Sequence, residues 1–499
     1  MARPPVAWLT RAVKPQLTRL PGGSAARTWQ YTAVAATAGM ALAAGVVGAV
    51  GPWDVTGQRT AERDRAAALE RVGGADHDAD FGTEPGMSRP VPSAAAVLAG
   101  LGRAASPPKP VSGGKPLADV LGPLLNAPAL GGSHTAAVVD VATGRRLYGT
   151  GAGKGLTPAS TTKIATAVAA LSALGPDHRL TTRVALEPGT RKIVLVGAGD
   201  PTLTAHEHAD GWASLRTLAD RTAKALRRRG IHQATLSYDT SLYAGPALHP
   251  VGVNDNLAPV SALSADEGRT DDSFHGPAAR VADPAADAAR RFTGFLKDAG
   301  IKATPPGPSK ATKGAATLAT VSSPPLSALV ERMLTNSDND IAEALARQTA
   351  AATGRPASFD GGAAAIAAQL KKLGLPVSGA RFHDGSGMNR DDRLTADLLT
   401  ALLVKAGDPD RPGLRPVLTG LPVAAFTGTL ATRYTDGAGG LVRAKTGTLT
   451  GVNSLAGTVV DHDGRLLAFA FLASGTANPI AAQTALDRTA TELAACGCR

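Results

Sequence analysis

A short, mostly apolar run at residues 135–141 is followed by the turn Ala142-Thr143-Gly144 and a returning run at 145–148, which predicts a hairpin. The period then changes. Past Thr157-Pro158-Ala159, the residues Ile164, Val168 and Leu171 recur at i, i+4 and i+7, so a helix is expected with Ser160 in its first turn. Between about 180 and 313 the pattern is mixed: a strand at 191–197, the turn Gly199-Asp200-Pro201-Thr202, a helical stretch at 211–229 and a strand at 234–238. An apolar helix follows Pro324-Pro325 over 326–334, breaks at Ser337-Asp338-Asn339 and gives way to another over 341–351. The chain closes with strands at 442–449, 454–460 and 465–472, the last two joined at Asp461-His462-Asp463-Gly464, and an amphipathic helix at 479–494. These elements describe an α/β fold: an antiparallel sheet with helices on both faces, beside a helical cluster.

Length divides the chain further. At 499 residues it exceeds one ordinary core. Ser160 and Ser337 stand 177 residues apart, too far for a loop within a compact domain, so 181–313 is expected to be an inserted mixed α/β domain. The main domain then comprises 117–180 and 314–499. Residues 52–116, rich in Pro, Ser and Gly, read as a linker, with a short charged helix at 58–71. Asp76-His77-Asp78 and Asp80 read there as solvated acids rather than metal ligands.

Charge changes the picture only at the N-terminus. Of the net +11, five charges come from Arg3, Arg11, Lys14, Arg19 and Arg27, leaving +6 for everything after residue 53. Such a mildly basic surface, with aromatics at 4%, does not suit nucleic-acid binding. Residues 28–53 hold no charged side chain, and 31–51 are long enough to span a bilayer behind the basic segment 1–30. Two readings stand: an uncleaved anchor with the N-terminus inside, or a signal segment cut near Gly51. Both place the folded part outside the cytoplasmic membrane. Cys496 and Cys498 flank one glycine, where a bridge is strained, so an unbridged tail is expected.

Three motifs carry chemistry. In Ser160-Thr-Thr-Lys163 the serine and lysine share a helix face, and a desolvated lysine can accept the hydroxyl proton. Ser337-Asp338-Asn339 sits between helices, where Ser337 can relay protons, Asn339 can hold a peptide amide and Asp338 serves structure. Lys445-Thr446-Gly447-Thr448 opens a strand: Lys445 offers positive charge, Thr446 and Thr448 hydroxyls suit a carboxylate, and Gly447 leaves the strand edge clear for a peptide. Each motif alone is weak; the ordered trio is specific. His206-Glu207-His208 lacks metal-site spacing, and no Walker or dinucleotide glycine pattern occurs, so neither metal nor cofactor is expected.

The trio resembles the signature of penicillin-binding proteins and class A β-lactamases. With Gly199-Asp200-Pro201-Thr202-Leu203, Asp384-Gly385-Ser386-Gly387, Arg393-Leu394, Leu421-Pro422-Val423-Ala424 and Gly428-Thr429-Leu430, the chain resembles the D-Ala-D-Ala carboxypeptidase/endopeptidase family, the low-molecular-mass class C penicillin-binding proteins, from about residue 120 to 476. That resemblance implies the penicillin-binding/β-lactamase-like transpeptidase fold, peptidoglycan stem peptides as substrate and acylation by β-lactam antibiotics. Ser160 would be the nucleophile, Lys163 the base, Ser337 the relay and Lys445 a substrate-binding cation; the N–H groups of Ser160 and Thr448 would form the oxyanion hole. Asn389 and Asp392 depart from the family pattern, and 181–313 is shorter than the usual insertion. Rival readings are a weakly catalytic penicillin sensor or scaffold, an esterase and a β-lactamase. The last needs a deacylating Glu, and Glu343 is the sole glutamate between Ser337 and Lys445.

Overall fold

The computed structural model describes residues 116–304, 307–434 and 437–497. The basic segment 1–30, the apolar segment 31–51 and, apart from Pro116, the linker expected over 52–116 lie outside them. Among the described residues no helix is long and apolar enough to cross a membrane.

Helix α1 (Leu117–Leu125) precedes the hairpin of β1 (Ser133–Asp140) and β2 (Arg146–Thr150). A 3-10 turn at Ala159–Thr161 then runs into α2 (Thr162–Leu174). The middle block contributes β3 (Thr181–Leu186), β4 (Lys192–Val196), α3 (Leu215–Arg227), β5 (Gln233–Asp239), α4 (Pro284–Asp298), the short β6 (Lys302–Ala303) and β7 (Gly307–Pro308), and β8 (Ala316–Ser322). Helices α5 (Leu326–Asn336), α6 (Asn339–Ala352), α7 (Phe359–Lys372), α8 (Ala396–Ala406) and α9 (Pro416–Thr419) follow. Strands β9 (Val442–Leu449), β10 (Val452–Val460) and β11 (Leu466–Ser474) and helix α10 (Pro479–Ala495) complete the order. Helix starts are set by local chemistry. Ser214, Asp338, Thr395 and Asn478 each accept a backbone N–H with the side chain. The Ser214 cap is why α3 begins four residues after the start that periodicity suggests.

The first sheet is antiparallel in the order β2-β1-β11-β10-β9. Both faces are covered, so β11 reads as a continuous apolar run whose alternate residues join different cores. Ala468, Ala470 and Leu472 meet α2, α5, α6 and α8. Leu467, Phe469 and Phe471 meet α1 and α10 on the other side. Each buried Leu or Phe there contributes roughly 1.5–3 kcal/mol. This is the α/β arrangement expected from the pattern.

The second sheet runs β6-β5-β4-β3-β8, with β7 also on β5. It is mixed: β3 pairs antiparallel with β4 and β8, while β4 and β5 are parallel, joined through α3. Its own core gathers Ile193, Leu195 and Leu236 with Leu218, Phe292 and Leu296. Because β8 belongs to it, this sheet extends past residue 313. At the other end of the chain, Cys496 is disulfide-bonded and half-buried against the core under α10, in place of the unbridged tail expected from sequence. Cys498 lies outside the described residues.

Candidate active site

Ala159, fully buried, takes a positive φ of 48°, a conformation that a non-glycine residue adopts only when its surroundings enforce it. Here Thr161 Oγ1 and Ser454 Oγ both donate to the Pro158 carbonyl, at 2.7 and 2.6 Å, clamping the turn to β10. The turn delivers Ser160 to the cleft at the mouth of α2.

Lys163 follows on the same face and is fully buried. Its Nζ lies 2.9 Å from Ser160 Oγ, 2.7 Å from Asn339 Oδ1 and 2.8 Å from the Ser386 carbonyl. A neutral amine has two hydrogens and one lone pair. Asn339 and Ser386 can take the hydrogens, which leaves the lone pair for the Ser160 hydroxyl. Burial pushes Lys163 down to about 8, against the opposing pull of Asp384, Glu343, Asp338 and Asp340.

The second motif spans the break between α5 and α6. Ser337 ends α5 in the left-handed region at φ 59°. Asp338 caps α6 by accepting from Ile341 N at 2.9 Å, the structural role expected of it. Asn339 uses both ends of its amide inside the protein: Oδ1 receives Lys163, and Nδ2 donates to the Asn256 carbonyl at 2.9 Å.

Strand β9 is the outer strand of its sheet; Pro422–Ala424 bonds its first residues, and the edge beyond, at Thr446 and Thr448, faces the cleft. Thr446 Oγ1 lies 2.9 Å from Thr429 Oγ1, and Thr448 is exposed. Two residues depart from the sequence expectation. Lys445 is fully buried behind the cleft surface, where its Nζ donates to Ser337 Oγ and to the Thr446 carbonyl, both at 2.8 Å. Burial first, then Lys163 and Arg433, holds its pKa well below the ordinary lysine range. Gly447 turns toward the protein and not toward the open edge: a Cβ there would meet Ser454 Oγ at 2.2 Å and the Pro158 carbonyl oxygen at 2.7 Å.

The sequence alone assigns Asp384-Gly385-Ser386-Gly387 no role. In the structure it is the turn that holds Lys163. Glu343 accepts from the N–H groups of Gly385 and Ser386, at 3.1 and 2.8 Å, and Asp384 accepts from Gly387 and Asn389. Burial raises Glu343 to about 7, with Asp384 adding to it. The middle block also reaches the site. It contributes Asn256, Arg269, His275 and Arg280 to the wall of a cleft of about 390 Å³ that includes Ser160, Ser337, Asn339, Thr446 and Thr448. Arg280 pairs with Asp340 at 2.9 Å and Ala258 N donates to the same carboxylate, anchoring the block to the start of α6. Polar residues scattered through a loop of irregular period gave no signal of this. His206 turns to Asp266, 3.5 Å away.

A serine paired with a desolvated lysine at a helix mouth, under the free edge of a Lys-Thr-Gly strand, defines the penicillin-recognising serine acyltransferases. Comparison with known proteins narrows the class. The model of the D-Ala-D-Ala carboxypeptidase 3 (S13) family matches residues 117–275 and 273–493, and the chain belongs to that family. It is 38% identical over 409 residues to carboxypeptidase DacB of Mycolicibacterium smegmatis, covering 79% of this chain and 86% of that one. It is 30% identical over 436 residues to the D-alanyl-D-alanine carboxypeptidase of an Actinomadura species, covering 71% and 80%. Penicillin-binding protein 4 of Haemophilus influenzae shares the fold, with a TM-score of 0.62 and 21% identity over 75% of this chain and 98% of that one. A second structure of that protein is complexed with a β-lactam, at a TM-score of 0.60 and 21% identity over the same shares. The protein is a serine-type D-Ala-D-Ala carboxypeptidase.

Proposed function

We propose that Ser160 attacks the carbonyl of the penultimate D-Ala of a peptidoglycan stem peptide while Lys163 takes its proton. The backbone N–H groups of Ser160 and Thr448 receive the oxyanion. Ser337, held by Lys445, returns a proton to the departing D-Ala amine, and water then releases the acyl group. The C-terminal carboxylate docks on Thr446 and Thr448. A β-lactam enters by the same attack and stays bound as its ring-opened acyl. The observation that carries this assignment is the set of three oxygens around Lys163 Nζ: Asn339 Oδ1 and the Ser386 carbonyl hold it against Ser160 Oγ, so that once the ammonium loses a proton the lone pair can face the nucleophile.

The β-lactamase alternative is disfavoured, because the Glu343 carboxylate is buried among backbone amides instead of facing a hydrolytic water. We read the block on the second sheet as an accessory domain that shapes the polymer side of the cleft. The apolar segment 31–51 is read as the tether to the outer face of the cytoplasmic membrane, with cleavage near Gly51 as the alternative. The test is mass labelling with benzylpenicillin followed by digestion of purified peptidoglycan. One drug mass on the peptide holding Ser160, absent in Ser160→Ala, is expected, with release of free D-Ala; monomerised cross-links in the digest would add endopeptidase activity. Labelling that survives Ser160→Ala refutes the assignment.

A further inference from the structure

A chain of buried hydrogen bonds runs from the middle block into the general base. His249, in the long connection after β5, is 3% exposed. Its Nδ1 accepts the Val251 backbone N–H at 3.1 Å, which leaves the ring hydrogen on Nε2. Nε2 lies 3.0 Å from Asp384 Oδ2. Phe359 meets the ring edge-on, centroids 5.1 Å apart, and fixes its plane. Asp384 accepts in turn from Gly387 N at 2.6 Å and Asn389 N at 2.7 Å. Within the loop these amides brace, the Ser386 carbonyl receives Lys163 Nζ. His249, Glu343 and Asp384 stand close enough to bracket a metal ion, but both nitrogens of His249 are already spent.

We propose that His249 is a positioning residue for acylation: by tying down Asp384 it fixes the Ser386 carbonyl, and so holds Lys163 against Ser160. The inference rests on the reading of Lys163 as base. The groups facing Asp384 are His249 from the middle block, Glu343 from α6, Asp392 from its own segment and Lys163 from α2. Arg347, whose guanidinium lies 4.4 Å over the Phe359 ring, acts on Glu343, and His383 Nδ1 stands 3.4 Å from Asp392 Oδ1. Asp392 is pushed up to about 10, by burial first and then by Asp384, so it brings no full negative charge at neutral pH. For Asp384 itself burial works upward, and the His249 hydrogen bond is the foremost influence that brings it below the usual carboxylate range.

Two consequences follow from removing the His249 donor. The turn loosens, which slows acylation. A loosened turn also takes the Ser386 carbonyl away from Nζ, and with it an acceptor that favours the ammonium form of Lys163, so the acid limb of the acylation profile moves to lower pH.

The test compares the full chain with its His249→Phe and His249→Gln variants. Phe fills the ring's space without a donor, whereas the Gln amide N–H reaches the position of Nε2. Acylation by benzylpenicillin is followed from about pH 6 to 10, with Tm recorded for each protein. His249→Phe is expected to acylate at least about tenfold more slowly at the plateau, as for misplaced catalytic groups, with its acid limb displaced downward. His249→Gln should recover most of the rate and the original limb. If the Phe variant does not fold, His249→Asn, whose amide stops short of Asp384, takes its place. An acid limb that stays put in the donorless variant, with rates falling only as far as folded protein is lost, overturns the proposal. A Lys163→Arg variant that still acylates overturns the base reading, and this inference with it, whatever the His249 variants do.

Discussion

Gly447→Ala tests why the third motif has a glycine. If glycine only kept the strand edge clear for substrate, a methyl would hinder long peptides and spare the enzyme otherwise. The structure points the other way. The new Cβ would stand 2.2 Å from Ser454 Oγ, 2.7 Å from the Pro158 carbonyl oxygen and 3.1 Å from Ala159 Cβ. Ser454 can swing away only by giving up its bond to Pro158. The carbonyl is backbone, so reaching an ordinary contact of about 3.4 Å requires strand and turn to part by about 0.7 Å. Overpacking of this kind costs about 1–3 kcal/mol, and a catalytic group displaced by about 1 Å loses about a hundredfold in rate. Ser160 lies two residues from Pro158, so acylation by benzylpenicillin, a small ligand that needs no long strand edge, should slow by about ten- to a hundredfold. Tm should fall by a few degrees. Adding Ser454→Ala removes the nearest clash but not the Pro158 contact, so recovery should be partial. Wild-type acylation and Tm in Gly447→Ala, with loss confined to peptide substrates, would refute this reasoning.

Acylation should also depend on pH through Lys163. With its pKa near 8, the amine is protonated and unable to act as base below that value and neutral above it, so the rate should rise about tenfold per unit toward pH 8 and level beyond. Lys163→Arg should abolish acylation, because guanidinium stays protonated; a flat profile or an active arginine variant contradicts the role. If residues 31–51 are the tether, protease added outside intact cells should remove the catalytic part while the N-terminus stays protected, and mature protein recovered free of membrane would instead support cleavage near Gly51.

Much of the main sheet was legible because its periods are clean. The strands around Lys445 and the helix of Ile164, Val168 and Leu171 stand within a few residues of their expected places. Ser160 and Lys163 were legible together because they are neighbours on one turn. What stayed hidden depends on burial and distant contact. Nothing in Lys445-Thr446-Gly447 says that the lysine lies behind Ser337, or that the glycine abuts Pro158, since the first depends on a helix end 108 residues earlier and the second on a turn nearly 300 residues earlier. Asp384 and Glu343 look like surface acids until their carboxylates are seen to be filled by backbone amides. His249 and Arg280 sit in irregular loops, where no period marks an inward residue.

The pairing of β1 with β11 sets Ser133 opposite Ser474. The ribosome makes the chain from the N-terminus, so the first strand of the central sheet exists long before the strand it will lie beside. At roughly 5–20 residues per second the wait is about twenty seconds to a minute. Until then one side of β1 has no neighbour, and α2 carries Ser160 and Lys163 without the sheet that clamps the turn. So distant a contact makes closure of the sheet a late event. No fragment that stops short of β11 can present an assembled cleft, and reaction with penicillin doubles as a readout of completed folding.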